Sequence, residues 1–132
     1  MINYRIASAR SAIDGRGVFS QEKIPGRRKI GEVTGHIIPL REARKRARDG
    51  RRIYLIDVSD THAIDCSTGN LLRLLNHSCR PNAYLRIIRN RVEVYARRDI
   101  EAGEEVTVDY GETPHQGGMK CACGHPDCRE RI

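Results

Sequence analysis

Apolar and polar positions alternate with a period of two over many short stretches of this chain. Tyr4 and Ile6 alternate with polar neighbours, and Gly17-Val18-Phe19-Ser20 follows a Gly-Arg-Gly turn. Residues 29–38 form a longer β-like run with Gly31 and Gly35 inside it, where glycine marks a bulge or a close backbone approach. Pro39 suits a helix start, and 40–48 is the one convincing helix. Residues 53–58 read as a compact apolar strand. Residues 83–88 and 92–96 predict a hairpin around Arg89-Asn90. In its second strand Val92, Val94 and Ala96 alternate with Glu93, Tyr95 and Arg97, the pattern of a half-buried strand. A turn at 100–103 and a strand at 105–110 complete the series. Many short strands with turns between them predict a mostly-β fold.

A chain of 132 residues has the length of one domain with one modest core, which a structural metal would help to hold. No stretch reaches the roughly 18 apolar residues of a membrane span, and the N-terminus has no apolar signal core. With 24 basic and 17 acidic residues the net charge is +7. Much of the excess sits in 41–52, which suggests a weak contact with nucleic acid. A solvated helix face carrying a Glu42–Arg46 pair is the favoured reading there, because nothing aromatic is interleaved for base stacking.

Of the five cysteines, Cys121, Cys123 and Cys128 read C-x-C-x4-C. Thiols that close are expected to bind a metal in a reducing, intracellular compartment rather than to form disulfides. Zinc takes four ligands, and Cys79 is available as the fourth.

Several motifs, in order, resemble the SET domain, the catalytic domain of protein-lysine methyltransferases that use S-adenosylmethionine. They are Asp14-Gly-Arg-Gly-Val-Phe19, the run 30–38, which resembles the family's strand pair after that motif, Ile53-Tyr-Leu-Ile-Asp57, Ile64-Asp65, Gly69-Asn70, and Arg73 to Asn82 with its Asn-His-Ser-Cys. Arg97 to Ile100 and Gly103 to Gly111, which contains Asp-Tyr-Gly, follow. Cys121 to Cys128 resembles the family's post-SET zinc segment. The resemblance implies several small β-sheets, a knot-like C-terminal segment and a zinc-bound tail. It divides the chain into a catalytic part, 1–112, and a post-SET part, 117–132.

The resemblance assigns Tyr110 as the catalytic tyrosine, its hydroxyl beside the transferring methyl and the amine, against the alternative of a buried core tyrosine. Tyr54 is expected to line the lysine channel and touch the cofactor, against plain strand packing. Asn76 and His77 are assigned to S-adenosylmethionine, with His77 not read as a general base. The backbone of Gly15-Arg16-Gly17 is expected to approach the cofactor's methionine end. Arg73 is read equally as a partner of the cofactor carboxylate or as a surface salt bridge. Cys79, Cys121, Cys123 and Cys128 are the implied zinc ligands, with His115 and His125 as substitutes. Cys66 is read as a buried small apolar residue.

The sequence departs from the family's pattern at Arg16, at Leu74-Leu75 and at Val108, where a smaller residue implies room for di- or trimethylation. The family's usual target, a lysine in a histone or other basic tail, implies such a protein as partner, and Glu101, Glu104, Glu105, Asp109 and Glu112 are candidates to attract it. No membrane partner is expected, and an oligomer is compatible with the sequence. The setting is cytoplasm for a bacterial protein and nucleus or chromatin for one acting there. The competing readings are a catalytically silent SET-like binding module and a small zinc-dependent nucleic-acid-binding domain.

Overall fold

The computed structural model describes residues 1–49, 54–110, 121–126, 128–130 and 132. Ile53, Arg51, Arg52, Glu112, His115 and the expected boundary between 112 and 117 lie outside these residues. Among the described residues, ten short strands form three small sheets, with one α-helix and one short 3-10 helix.

The first sheet runs in the order β1 (Ile6–Arg10), β2 (Arg16–Ser20), β10 (Glu105–Val108), β7 (Asn76–His77). β10 is antiparallel to β2 and parallel to β7, with Thr107 opposite Asn76 and Val108 opposite His77. This parallel pair joins two segments of the chain that each carry one of the sequence motifs.

The second sheet, β3 (Lys29–Val33), β9 (Arg91–Ala96), β8 (Ala83–Ile88), contains the predicted hairpin. Arg89 and Asn90 have φ of 51° and 60°, as a two-residue turn of the primed type requires for strands of normal twist. The third sheet is β4 (His36–Pro39), β6 (His62–Asp65), β5 (Leu55–Asp57). The long run at 29–38 is therefore two strands in two sheets. The chain crosses between them at Gly35, which lies against the backbone of Asp65 and Cys66 where a side chain would collide. A bulge falls between Lys29 and Gly31.

Val18, Ile24, Ile30, Leu72, Val92, Val94, Ile100, Val106 and Val108 are fully buried and form the main core. A smaller cluster of Ile38, Ala43 and Ala63 seats α1 (Leu40–Arg48) on the third sheet. The Glu42–Arg46 pair forms at 3.1 Å, and Arg46 also reaches Asp65 at 2.6 Å. No helix among the described residues is long and apolar enough to cross a membrane.

Candidate active site and thiol cluster

Tyr110 lies two residues beyond β10, and the parallel pairing delivers it beside His77. Its backbone N–H donates to His77 Nδ1 at 2.9 Å, and the two rings lie 5.3 Å apart, tilted by 55°. Its hydroxyl donates to the carbonyl of Leu75 at 2.6 Å. The residue is 41 % exposed, yet the hydroxyl end points inward. Burial, and then the nearby Asp14 carboxylate, push the phenol up to about 12. At neutral pH the group is therefore a neutral donor.

Tyr110, Tyr54, Arg16, Arg73 and Asn76 line one cavity of about 60 Å³, together with Asp14, Leu74 and Leu75. Tyr54 is half-buried against the core. Its backbone N–H bonds Ser67 Oγ at 3.0 Å, and its carbonyl accepts from the Cys66 backbone at 2.9 Å. Arg73 spends Nη1 on the carbonyls of Gly69 and Asn70 at 3.3 and 3.1 Å. Its remaining guanidinium N–H groups are directional donors suited to a carboxylate. Arg16 reaches back along the sheet to the Ser8 carbonyl at 3.0 Å.

The side-chain amide of Asn76 is occupied by the protein itself. Nδ2 lies 3.0 Å from the Asp14 carbonyl, 3.3 Å from that of Arg16 and 2.9 Å from Glu105 Oε2. Asn76 thus fastens the glycine turn to β10, and what it presents to a ligand is not this amide nitrogen. Glu105 also accepts from Ser11 Oγ at 2.7 Å. A Cβ on Gly17 would meet the Glu105 carboxylate, so a larger residue there would require that side chain to move. Gly15 turns the chain with φ of 44°, a left-handed conformation easy for glycine.

His77 stands behind Tyr110 and does not line the cavity. It is 4 % exposed, and its pKa is pushed down, chiefly by burial, against the opposing Asp109 charge. Nδ1 is occupied as an acceptor, and Nε2 lies 3.4 Å from Cys79 Sγ and 3.3 Å from Arg129 Nη2. Val108 is 1 % exposed in the core and is not part of the cavity wall.

The described acidic residues near Tyr110 have partners of their own. Glu104 pairs with Arg98 and Glu101 with Lys23, Glu105 is turned inward, and Asp109 pairs with Arg129 at 2.7 Å.

The sulfurs of Cys79, Cys121, Cys123 and Cys128 all lie within 4.8 Å of one another, although Cys79 is distant in sequence from the others. A tetrahedral zinc with Zn–S bonds of about 2.3 Å would set its sulfurs ~3.8 Å apart. Cys79 and Cys121 Sγ are 3.8 Å apart, so the cluster fits such an ion. His125 is not in this group, and Cys66 is buried away from it with its thiol pushed up to about 11, mainly by burial. Arg129 was not anticipated from sequence. Its backbone N–H donates to Cys79 Sγ at 3.3 Å while its guanidinium holds Asp109, the neighbour of Tyr110. The one signal for it was its place directly after Cys128.

A profile of the family described as "SET domain" matches residues 15–111. The chain is 36 % identical over 134 residues to the histone-lysine N-methyltransferase set-2 of Caenorhabditis elegans, covering 94 % of this chain and 9 % of that protein. It is 36 % identical over 129 residues to an H3 lysine-4 specific histone-lysine N-methyltransferase of Schizosaccharomyces pombe, covering 90 % of this chain and 14 % of that one. The histone-lysine N-methyltransferase TRX1 of Oryza sativa subsp. japonica is 32 % identical over 136 residues, with 95 % and 13 % covered. The chain thus spans about a tenth of the length of these curated relatives.

Proposed function

This chain belongs to the SET-domain family, and we propose that it is an S-adenosylmethionine-dependent protein-lysine N-methyltransferase. The observation that carries this reading is the convergence of the Tyr110 hydroxyl and the Leu75 carbonyl on one cavity with Tyr54 and Arg73. S-adenosylmethionine, when bound, supplies an activated methyl group.

The chain's own residues then have three tasks. Arg73 offers N–H donors for a carboxylate, and the Asp14–Gly17 turn and the backbone at Asn76 and His77 shape the rest of the cofactor cleft. Tyr54 and Tyr110 present rigid apolar rings that exclude water from an incoming lysine side chain. Exclusion of water favours the neutral amine, which is the nucleophile, over the ammonium form with its free pKa near 10.4. The Tyr110 hydroxyl oxygen and the Leu75 carbonyl oxygen stabilise the positive charge that spreads over the methyl group as it moves. Alignment of amine and methyl in a line supplies much of the remaining acceleration.

Cys79, Cys121, Cys123 and Cys128 are proposed to hold one structural zinc, which ties residues 121–132 to the Asn76–Cys79 segment. By analogy with the names of its relatives, the substrate is a histone or another basic protein tail, encountered at chromatin.

The test is incubation of the purified protein with radiolabelled S-adenosylmethionine and a panel of histones and cell extract. A labelled band is expected that falls about 100-fold or more in Tyr110→Phe while cofactor affinity is retained. Full activity in that variant would refute the role of the hydroxyl, and absence of label in zinc-loaded, cofactor-binding protein would refute the enzyme.

A further inference from the structure

A second concavity, of about 460 Å³, shares Cys79 with the thiol cluster. It is lined by Cys79, Arg80, Pro81, Arg97, Arg98 and His125. Arg80, Arg97 and Arg98 are all exposed at its rim. One wall is the turn that follows β7, and the other is the link between β9 and β10.

The two walls are locked together by a buried side chain. Asn82 is 4 % exposed. Its carbonyl accepts the Arg97 backbone N–H at 2.8 Å, its Oδ1 accepts that of Thr107 at 2.9 Å, and its Nδ2 donates to Glu105 O at 2.8 Å. The backbones that carry the guanidinium groups are therefore fixed rather than free to spread. Arg98 has a counter-charge in Glu104 at 3.2 Å. Among the described residues, Arg97 makes no ion pair and no side-chain hydrogen bond.

Arg80 also has a partner, so Arg97 carries the uncompensated charge of the groove, and a bound anion supplies its counter-charge. The chemistry of the lining selects the anion. Arginine presents a planar fork that matches phosphate oxygens bidentately, and it is less strongly hydrated than lysine. The volume exceeds what one small anion fills, and the groove is open to solvent, which suits a polymer passing through. A net charge of +7 attracts a polyanion at long range.

We propose that this groove binds the phosphate backbone of nucleic acid without reading its sequence. The inference does not depend on the catalytic reading, because no residue that lines the tyrosine cavity takes part.

The test uses the full chain loaded with zinc and a short fluorescent DNA duplex, with affinity followed by anisotropy over a salt series. Affinity should fall as salt rises, since binding releases counterions. Arg97→Gln should weaken binding several-fold and reduce the salt slope by about 1, and Arg97→Glu should weaken it about tenfold or more. Zinc content and thermal midpoint should stay at the parent values. In the unaltered chain, the duplex should protect His125 from carbethoxylation mapped by mass spectrometry.

Binding unchanged in Arg97→Glu, or the duplex failing to protect His125, would overturn the proposal. So would loss of binding in a variant carrying Arg41→Ala and Lys45→Ala while Arg97→Glu binds normally, which would assign the contact to α1. Loss of zinc from Arg97→Glu would also overturn it, by making the arginine a counter-charge for the thiolates. Displacement of the duplex by an acidic peptide at equal charge would assign the groove to a protein partner instead.

Discussion

His77 Nδ1 accepts the backbone N–H of Tyr110 at 2.9 Å, so the histidine fixes where the chain leaves β10. The same ring places Nε2 3.4 Å from Cys79 Sγ. One buried imidazole thus stands between the tyrosine of the cavity and a sulfur of the thiol cluster.

Replacing this ring by an apolar one of similar shape tests that role. His77→Phe leaves the Tyr110 N–H without its acceptor, which costs about 1–3 kcal/mol for a buried group. A lower urea midpoint is expected, together with a turnover loss larger than the change in cofactor affinity. An unchanged midpoint and turnover would show that the ring does not position Tyr110.

The pH profile separates tyrosine from substrate. With its phenol pushed up to about 12, Tyr110 stays protonated across the working range. The methyl-transfer rate should therefore rise with pH as the substrate amine loses its proton, toward a free value near 10.4. Single-turnover rates that fall between neutrality and that value, in protein shown to stay folded, would contradict a neutral Tyr110.

Metal removal should act on the tail and the cavity together. Arg129 links Cys79 to Asp109 through its backbone N–H at 3.3 Å and its guanidinium at 2.7 Å. Chelation is expected to raise protease sensitivity at 121–132 and to lower activity, both restored by zinc. Intact activity in verified metal-free protein would break the proposed coupling.

Acid should weaken the third sheet through Asp65. This residue is 8 % exposed. Burial raises its pKa, but hydrogen bonds from Ser67 and the Arg46 guanidinium outweigh it, and the net shift is downward. A depressed carboxylate contributes stability above its unfolded value near 3.9 and loses it as pH falls through the folded value. Arg46→Gln should therefore lower the urea midpoint at neutral pH, with the difference shrinking as Asp65 is protonated. A difference that is the same at neutral and acidic pH would rule out the charge of Asp65 as its source.

The hairpin was readable because its alternation is long enough to show a period and its turn falls on Arg89-Asn90. β6 was not, since four residues, His62–Asp65, are too few to reveal one. The split of 29–38 between two sheets was hidden for a related reason: both halves look like strand, and only the approach of Gly35 to the Asp65 backbone separates them. The partners of the acidic residues near Tyr110 were hidden for a different reason. A sequence gives the sign of a charge but not its partner, and Glu105 finds Ser11, whose side chain bonds it across 94 positions.

By itself the sequence determined the mostly-β class, the helix at 40–48, the inward alternation of Val92, Val94 and Ala96 and the identity of the site motifs, because those depend on local period and residue type. The tertiary structure alone decided that Asn76 serves as an internal clamp, that Val108 belongs to the core, and that His77 backs Tyr110. It also decided that Arg129 bridges the cysteines to Asp109 and that Arg80, Arg97 and Arg98 share one groove. Each of these depends on a parallel strand pair or a long-range hydrogen bond, and no local pattern encodes which distant group will satisfy a buried donor.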